Sequence, residues 1–291
     1  MAKEIKLGNQ LVGKNHPTYI VAEIGINHNG DLNIAKRMIH AAQYAHVDAV
    51  KFQKRTPRIC VPLEEQKKMR ETPWGYMSYL EYRERVEFNE DEYREIDRLC
   101  KELGIDWFAS VWDEESVDFL EAFDPIAYKV PSASLTDHSL LQKLLDTGRP
   151  IILSTGMSTM EQIQAGVEKI GDMDRLVITH STSAYPCDPD KLNLRMIQTL
   201  DAAFDCPIGY SGHEVGLIPS VVSVSLGACL IERHFTLDRA MWGTDQAASV
   251  EPQGMEKLVK YVRVTEEALG DGIKKVYDEE LPSLQKLRRV K

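Results

Sequence analysis

The chain has 291 residues, of which 43 % are hydrophobic, and this is enough apolar material for an α/β barrel of about 250 residues. Its formal net charge of −10 argues against a nucleic-acid partner, because phosphate backbones require a basic face on the protein. A small anionic substrate is still compatible with this charge, since a local cluster of lysines, arginines or backbone N–H groups is sufficient to bind it.

The sequence contains no segment typical of export or membrane insertion. The start, MAKEIKLGNQ, has no apolar stretch like that of a signal peptide, and no apolar run approaches the ~20 residues of a membrane helix. The cysteines are odd in number and form no CxxC pair, and they lie at Cys60, Cys100, Cys187, Cys206 and Cys229. This usage predicts free thiols in a reducing compartment, and therefore a cytoplasmic protein without a membrane partner.

Apolar runs typical of buried strands alternate with amphipathic helical patterns along most of the chain. In chain order the runs are TYIVAEIG, DAVKFQ, DWFASV, IAYKV, PIILST, RLVITHS, CPIGYS and CLIERHF. Strands that are apolar on both faces and alternate with helices indicate a parallel sheet, and eight such units predict a closed (β/α)8 TIM barrel. An open doubly wound sheet is the alternative, but the glycine fingerprint expected after its first strand is absent.

We expect a single TIM-barrel catalytic domain over residues 1–291, with three additions. Residues 1–16 contain a short N-terminal hairpin that plugs the bottom of the barrel. Residues 55–90 form a long insertion after the second strand, and loops of this length usually act as lids or partner surfaces. Residues 271–291 form a charged C-terminal tail.

Polar residues end or follow every predicted strand. Active sites of TIM barrels lie at these C-terminal ends, so such residues are candidates for function. They are Glu23, Lys51, Gln53, Ser110, Lys129, Ser132, Ser154, Thr155, His180, Ser181, Thr182, Ser183, Tyr185, Ser211, His213 and His234.

Lys51 and Lys129 interrupt otherwise apolar runs, where a lysine is costly unless it is paired. One interpretation is a structural ion pair with a core carboxylate such as Glu23 or Glu232. The other is an anion pocket, in which the lysines supply charge and serine hydroxyls and loop N–H groups complete a phosphate cradle. The LSTGMS turn after the fifth strand favours the second interpretation, because a small loop that opens a helix presents free N–H groups.

His213 and His234 end two adjacent strands and are expected to face the same mouth of the barrel. Two neutral imidazoles at the same depth in the barrel favour a divalent-metal site over two unrelated core histidines. Such a site would be open and catalytic. Imidazole, water and substrate oxygen fit Mn²⁺, Co²⁺ or Zn²⁺ better than Ca²⁺. Asp245 is the candidate to complete or orient this site, whereas His28 and His180 are as well explained by local hydrogen bonds.

Several motifs in a fixed order resemble the catalytic barrel of the sialic acid synthase (N-acetylneuraminate synthase) family. They are YIVAEIGINHNGDLNIAKRMIHAA, VDAVKFQ, AYKVPSAS, PIILSTGMS, AYPC, IGYSGHEVG and IERHFTLD with GTDQAASVEP. The resemblance covers nearly the whole chain. It implies a metal-dependent transferase that condenses phosphoenolpyruvate with the open-chain aldehyde of an N-acyl hexosamine, such as N-acetylmannosamine, and releases phosphate with a nine-carbon 2-keto-3-deoxy acid.

The resemblance also implies a role for each matching position. The phosphoenolpyruvate pocket corresponds to Lys51, Ser110, Lys129, Ser132, Ser154, Ser183 and Ser211. Contacts to the sugar and to the reacting water correspond to Glu23, Gln53, Tyr185 and Asp245, with Glu23 as the candidate to position or activate the water. His213 and His234 correspond to metal ligands, for Mn²⁺ first and Co²⁺, Mg²⁺ or Zn²⁺ as alternatives. The predicted catalytic residues are Glu23, Lys51, Gln53, Lys129 and Asp245.

The sequence departs from the family pattern at three points. Ser110 stands where threonine is common, and Ser183 stands where asparagine is common, although both retain a hydrogen-bonding side chain. Family members usually continue into an antifreeze-like domain that lends an arginine to the partner subunit in a swapped dimer, and this chain ends at Lys291. We therefore expect a homodimer or higher homo-oligomer in which the 55–90 insertion, with Trp74, Tyr76 and Tyr79, packs against a second subunit.

Three other functions are weighed against this one. A synthase acting on a sugar phosphate, of the octulosonate- or heptulosonate-phosphate type, needs further arginines or lysines for a second phosphate, and the strand ends provide few. A non-catalytic sugar-binding barrel is expected to lack some of these lysines and histidines, and all of them are present here. Metal-dependent hydrolysis predicts release of phosphate without any sugar.

Overall fold

The computed structural model describes residues 3–290, and eight parallel strands close there into a barrel. In chain order the strands are β1 (Glu4–Leu7), β2 (Gln10–Gly13), β3 (Tyr19–Gly25), β4 (Ala49–Lys54), β5 (Met69–Thr72), β6 (Gly75–Ser78), β7 (Asp106–Val111), β8 (Tyr128–Val130), β9 (Ile151–Ser154), β10 (Leu176–Ser181), β11 (Ile208–Gly212) and β12 (Leu230–His234). The barrel runs β3, β4, β7, β8, β9, β10, β11, β12, and β12 pairs with β3 to close it. The predicted (β/α)8 barrel is therefore confirmed.

Helices surround the barrel and connect its strands. They are α1 (Leu32–Tyr44), α2 (Pro57–Cys60), α3 (Leu63–Gln66), α4 (Tyr79–Val86), α5 (Glu90–Leu103), α6 (Glu114–Glu121), α7 (His138–Asp146), α8 (Met160–Ile170), α9 (Met196–Ala203), α10 (Ile218–Ser225), α11 (Pro252–Leu269) and α12 (Leu281–Leu287). None of the helices within residues 3–290 is long and apolar enough to span a membrane.

Local sequence signals fix where the barrel helices begin and end. Helix α5 starts at a capping box, in which the Asn89 side chain accepts from the Glu92 N–H and the Glu92 carboxylate accepts from the Asn89 N–H. It ends at Gly104, whose φ of 64° is the left-handed conformation that glycine adopts without strain. The buried face of α5 carries Tyr93 and Ile96, which pack against the outer face of the barrel strands.

The predicted N-terminal hairpin closes the bottom of the barrel. Strands β1 and β2 pair antiparallel, and Ile5, Leu7 and Val12 are buried. They join a cluster with inward-facing barrel residues such as Tyr19 and Phe108. Solvent is thereby excluded from the end of the barrel opposite to the strand C-termini, which leaves one open mouth.

The insertion after β4 folds into elements that the sequence analysis did not assign. It contains α2, α3, the β5–β6 hairpin and α4, which starts at a capping box formed by Ser78 and Glu81. Aromatic contacts hold it against the loop after β12: the Trp242 ring lies 5.8 Å from the Trp74 ring and 5.1 Å from the Tyr82 ring. The insertion is therefore anchored to the loop that follows β12.

Candidate active site

A cavity of about 210 Å³ opens at the C-terminal ends of the barrel strands. Its lining includes every residue to which the family resemblance gives a role except Asp245, namely Glu23, Lys51, Gln53, Ser110, Lys129, Ser132, Ser154, Ser183, Tyr185, Ser211, His213 and His234. Of the other strand-end candidates, Ser181 lines the cavity, and Thr155, His180 and Thr182 do not. These side chains meet because alternate residues of each strand face the barrel interior. Asp245 lies just outside, on the loop after β12, with its Oδ2 3.8 Å from Nδ1 of His234.

Two buried lysines and two buried carboxylates alternate across the floor of the cavity. Lys51 Nζ lies 2.7 Å from Glu23 Oε2 and 3.7 Å from Glu232 Oε1, and Lys129 Nζ lies 3.0 Å from Glu232 Oε2. Lys51 also donates to Ser110 Oγ over 2.5 Å, and Ser211 Oγ donates to Glu232 Oε1 over 2.9 Å. The structure thus shows the ion pairs that the sequence analysis kept as the alternative, and both lysines nevertheless face the cavity.

The two carboxylates of this network differ in acidity. Burial raises the pKa of the Glu23 carboxyl, Lys51 opposes this shift, and the charge of Glu232 adds to it. Burial would also raise the pKa of Glu232, but Lys129 and Lys51 outweigh it and hold the pKa at about 2. Glu232 is therefore the counter-charge of the lysines, whereas Glu23 is the carboxyl of this network whose protonated form is favoured by burial.

Unpartnered serine hydroxyls face the cavity beside the lysines. The Oγ atoms of Ser181 and Ser183 are buried and have no hydrogen-bond partner among residues 3–290. A Cβ atom on Gly156 would lie 2.4 Å from Ser183 Oγ and 2.7 Å from Ser132 Oγ, so only glycine leaves room between these hydroxyls. Buried hydroxyls normally find a partner, and this cradle of hydroxyls beside two cations suits a phosphate or carboxylate oxygen.

The LSTGMS turn differs from the expectation in one respect. The sequence predicted free N–H groups at the start of a helix, but α8 begins four residues after Gly156, and its first turn is satisfied by a capping box of Thr159 and Gln162. The Gly156 N–H donates to Ser132 Oγ over 3.1 Å. This turn therefore makes room for serine hydroxyls. It does not present the N-terminus of a helix to an anion.

The two predicted metal-ligating histidines lie side by side. The centroids of the His213 and His234 rings are 5.4 Å apart, and the Tyr185 ring packs 4.1 Å from that of His213. Nδ1 of His213 donates to the Thr182 carbonyl over 2.7 Å, which leaves the lone pair on Nε2. Burial, with a smaller effect from His234, lowers the pKa of His213 to about 3, so its imidazole is neutral at physiological pH.

This donor set fits a divalent metal that prefers imidazole. Nδ1 of His234 is buried and has no hydrogen-bond partner among the described residues, and such an orphaned nitrogen is readily explained as a ligand. Residues 3–290 contain no group of three or more His, Cys, Asp or Glu side chains arranged to hold a metal. Two imidazoles would leave the remaining positions to substrate and water, as in catalytic sites that keep open positions.

An ion pair on the outer face of the barrel fixes the positions of both histidines. Arg233 precedes His234 and Glu214 follows His213, and Arg233 Nη1 donates to Glu214 Oε1 over 2.9 Å. Both side chains are fully buried, and Tyr210 and Ser220 donate further hydrogen bonds to the Glu214 carboxylate. Because neighbouring residues of a strand point to opposite faces, Arg233 lies behind His234, and its pair with Glu214 supports both histidines without lining the cavity.

Two cavity residues, Glu232 and Trp112, and a residue in contact with the lining, Arg55, were not predicted as site residues. Glu232 was considered only as an ion-pair partner, although its position two residues before His234 places it on the same inward face of β12. Trp112 lines the cavity, and the Arg55 guanidinium stacks on its ring at 3.5 Å. Arg55 Nη2 also donates to Gln53 Oε1 over 2.6 Å, and Gln53 Nε2 donates to Glu23 Oε1 over 3.1 Å.

The remaining histidines near the mouth have structural contacts. His28 accepts a hydrogen bond from the Gly30 N–H through Nδ1 and stacks on Phe88 at 4.0 Å. His180 Nε2 donates to the Leu192 carbonyl over 2.7 Å. The local hydrogen bonds considered for both histidines are therefore confirmed, and neither lines the cavity.

The NeuB family model matches residues 38–274 of the chain. The chain is 39 % identical over 284 residues to a human N-acetylneuraminate-9-phosphate synthase, covering 95 % of this chain and 78 % of that protein. It is 35 % identical over 285 residues to an N,N'-diacetyllegionaminic acid synthase of Legionella pneumophila, covering 95 % of this chain and 80 % of that one.

A solved structure matches the whole fold. The crystal structure of an N-acetylneuraminic acid (sialic acid) synthetase from Leptospira borgpetersenii serovar Hardjo-bovis, in complex with citrate, superimposes with a TM-score of 0.88. The two sequences are 31 % identical, and the match covers 100 % of this chain and 99 % of that chain. The similarity therefore spans the barrel and the cavity at its mouth.

Proposed function

The chain belongs to the NeuB family, and we propose that it condenses phosphoenolpyruvate with the open-chain aldehyde of an N-acyl hexosamine to give a sialic-type 2-keto-3-deoxy acid and phosphate. The observation that carries the proposal is the single cavity shared by two lysines, a ring of serines and two imidazoles. The human relative is named for a 9-phosphate product and the Legionella relative for a diacetylated sugar, so the acceptor is the part that varies among relatives.

Phosphoenolpyruvate would bind against Lys51 and Lys129 through its phosphate and carboxylate. The hydroxyls of Ser181 and Ser183 have no hydrogen-bond partner within residues 3–290 and would supply donors to an anion, and Ser132 and Ser154 lie around the same cradle. In the free enzyme the lysines are neutralised by Glu23 and Glu232. The entering anion adds negative charge beside these carboxylates and raises the pKa of Glu23 further, which favours its protonated form.

His213 and His234 would hold the metal, for which we propose Mn²⁺. When bound there, a divalent cation supplies a Lewis acid that polarises the aldehyde oxygen. His213 is held in the required tautomer by the Thr182 carbonyl, and the Arg233–Glu214 pair fixes both strand ends. Gln53 and Tyr185 line the cavity beside them and provide an amide and a hydroxyl to orient the sugar.

The proposed reaction does not pass through a covalent enzyme intermediate. The carbon–carbon bond forms between the enol carbon of phosphoenolpyruvate and the aldehyde carbon, and the aldehyde oxygen takes up a proton. Water adds to the resulting cationic carbon and loses a proton, and the carbon–oxygen bond to phosphate then breaks. We assign the proton transfers to Glu23, because its raised pKa allows it to give a proton to the aldehyde oxygen and to accept one from water. The buried lysines stabilise the phosphate and carboxylate charge throughout.

A phosphate-release assay with phosphoenolpyruvate, Mn²⁺ and a panel of acceptors tests this function. We expect release only in the presence of an N-acyl hexosamine or its phosphate, together with a nine-carbon keto acid detected by mass spectrometry. Turnover of pentose or tetrose phosphates instead would favour an octulosonate- or heptulosonate-type synthase. Release without any sugar would indicate a hydrolase, and no release with any acceptor would favour a binding protein.

We also propose that the protein acts in the cytoplasm as a homodimer or higher homo-oligomer. The structure changes the residues expected at the subunit contact. Trp74 packs against Trp242 and Arg85, and Tyr79 packs against Arg70 and Tyr82, so both are partly buried within the chain. Of the three aromatics, Tyr76 is left 71 % exposed and remains the candidate for an inter-subunit contact.

A further inference from the structure

We propose that Arg55 is a positioning residue for the reaction, which fixes the side-chain amide of Gln53 with its nitrogen toward Glu23. The inference deepens the proposed function and rests on it, since Glu23 and Gln53 belong to the site of that reaction. Arg55 follows β4 and contacts two residues that line the cavity, Gln53 and Trp112. Its effect on the reaction therefore passes through the lining and needs no contact with the substrate.

The neighbours of the Gln53 amide select one of its two orientations. A guanidinium has donors and no acceptor, so the amide oxygen must be the atom that faces Arg55. Arg55 Nη2 donates to Gln53 Oε1 over 2.6 Å, which leaves Gln53 Nε2 to donate to Glu23 Oε1 over 3.1 Å. Burial and then the charge of Arg83 lower the pKa of Arg55 to about 10, so it remains a cation at neutral pH.

The opposite orientation of the amide would disturb the Glu23 carboxyl. The amide oxygen would then take the place of Nε2, 3.1 Å from Glu23 Oε1, and two acceptors at this distance repel each other. Lys51 lies 2.7 Å from the other oxygen of Glu23. One oxygen of the carboxyl is thus held by Lys51 and the other through Gln53, so the group to which we assign the proton transfers depends on the orientation of this amide.

The backbone beside Glu23 leaves room for its contact with Gln53. Gly25 lies two residues further along the chain and has a φ of 55°, in the left-handed region that favours glycine. A Cβ atom there would lie 3.0 Å from Glu23 Oε1 and 3.1 Å from Gln53 Nε2. The end of β3 is therefore shaped around the same hydrogen bond that Arg55 orients.

Arg55 is itself held in place by contacts between the ends of two neighbouring strands. Its guanidinium stacks on the Trp112 ring at 3.5 Å, and its backbone N–H donates to the Glu87 carboxylate over 3.2 Å. The next residue, Thr56, donates to the buried Asp113 carboxylate from its N–H over 2.7 Å and from its hydroxyl over 2.9 Å. A side chain supported in this way can impose one geometry on its partner.

A double-mutant cycle on the kinetics tests whether Arg55 acts through Gln53. With phosphoenolpyruvate and the acceptor that gives the fastest release of phosphate, Arg55→Met should lower kcat by roughly tenfold, because the amide can then turn. KM for phosphoenolpyruvate should stay within about twofold. Gln53→Ala should lower kcat at least as far, and Arg55→Met should cost less than about twofold more in that background. An equal loss in both backgrounds, or an unchanged kcat in Arg55→Met, would overturn the inference.

Two further variants complete the kinetic test. Arg55→Lys keeps a group that only donates and should recover part of the lost kcat. It also serves if Arg55→Met does not fold, since its smaller loss should likewise vanish in the Gln53→Ala background. Arg58→Met is the matched control, because Arg58 belongs to the same insertion but its side chain is 74 % exposed and paired with Glu84. A fall in kcat of the same size in Arg58→Met would show that the insertion as a whole is responsible.

The nuclear magnetic resonance signal of the Gln53 side-chain amide separates this inference from the proposed function. If no acceptor releases phosphate from phosphoenolpyruvate, the proposed synthase activity fails, and Arg55 is then judged without a substrate. In ¹⁵N-labelled protein the signal is identified by its absence from Gln53→Ala. Broadening or doubling of the signal in Arg55→Met but not in Arg58→Met, as the amide samples both orientations, supports the positioning role. A signal in Arg55→Met as sharp and single as in the wild type contradicts it.

Discussion

Lys51 and Lys129 could be identified as functional candidates from the sequence because a lysine inside an apolar strand is rare and costly. The sequence analysis named Glu23 and Glu232 as possible partners, but which carboxylate pairs with which lysine could not be assigned from spacing. Glu23, Lys51, Lys129 and Glu232 lie on four strands, and the closure of β12 on β3 is what brings the chain's ends together in one ion-pair network.

Lys129→Met tests whether the lysine binds substrate as well as Glu232. Affinity for phosphoenolpyruvate should fall by about 2–4 kcal/mol, because a charged hydrogen-bond donor to the anion is lost. The free enzyme should also lose stability, since Glu232 keeps only Lys51, at 3.7 Å, as a cationic partner. Melting curves with and without phosphoenolpyruvate measure both effects.

Lys143→Met, which removes a half-buried lysine on α7 paired with Asp118, is the control and should leave the ligand-induced shift in Tm intact. If Lys129→Met melts lower but is stabilised by phosphoenolpyruvate as strongly as the wild type, the lysine is structural only.

The metal site is tested by removing the ion and its ligands. Dialysis against EDTA should abolish activity, and Mn²⁺ or Co²⁺ should restore it. His213→Ala and His234→Ala should each bind Mn²⁺ at least roughly tenfold more weakly in equilibrium dialysis while melting near the wild-type temperature. Exchange of His40, an exposed histidine on α1, for alanine should change neither property. Full activity of the chelated protein would contradict the assignment.

His28 gives the folded state a defined acid sensitivity. Burial lowers its pKa to about 3, so on acidification the unfolded chain, with an ordinary histidine pKa of about 6.5, binds the proton first. The contribution of neutral His28 to stability is therefore complete above about pH 6.5 and is lost as the pH falls toward about 3, by up to ~1.4 kcal/mol per pH unit.

His28→Asn keeps an acceptor for the Gly30 N–H and removes this titration. Urea unfolding between about pH 7 and pH 4.5 should show the difference in unfolding free energy between the two proteins narrowing as the pH falls. A constant difference over this range would show that His28 does not resist protonation in the folded state.

At the scale of elements, the turn after β9 shows what a short motif can and cannot predict. The small residues of LSTGMS predicted free N–H groups at the start of a helix, but a capping box of Thr159 and Gln162 satisfies the first turn of α8. They did not indicate that the group which needs the space is a serine hydroxyl, because Ser132 and Ser183 come from two other strand ends. The same limit applies to the insertion, whose short helices and hairpin are held by aromatic contacts with the distant Trp242.

Gly156→Ala should damage the cradle without unfolding the barrel. The added Cβ would lie 2.4 Å from Ser183 Oγ and 2.7 Å from Ser132 Oγ, so the hydroxyls must turn away from the anion. We expect KM for phosphoenolpyruvate to rise by at least roughly tenfold with a nearly unchanged Tm. Gly166→Ala, which adds the same methyl group within α8, is the control, and an unchanged KM in Gly156→Ala would contradict the cradle.

At the scale of the whole molecule, the regular alternation of apolar runs and amphipathic segments was sufficient to predict the barrel, its closed bottom and its single active mouth. Eight strands that each end in polar residues must converge once the sheet closes. Contacts between elements far apart in sequence were not predictable in this way. The Arg233–Glu214 pair, which joins β12 to the turn after β11, was not predictable either, since it follows from no periodic pattern.

The central claim is that this NeuB-family barrel joins phosphoenolpyruvate to an N-acyl hexosamine and that water adds to carbon rather than to phosphorus. Running the reaction in ¹⁸O-labelled water and analysing both products by mass spectrometry tests it most directly. We predict equal amounts of phosphate and nine-carbon keto acid, with no label in the phosphate because its carbon–oxygen bond is the one that breaks. Labelled phosphate, or phosphate formed without the keto acid, would contradict the account.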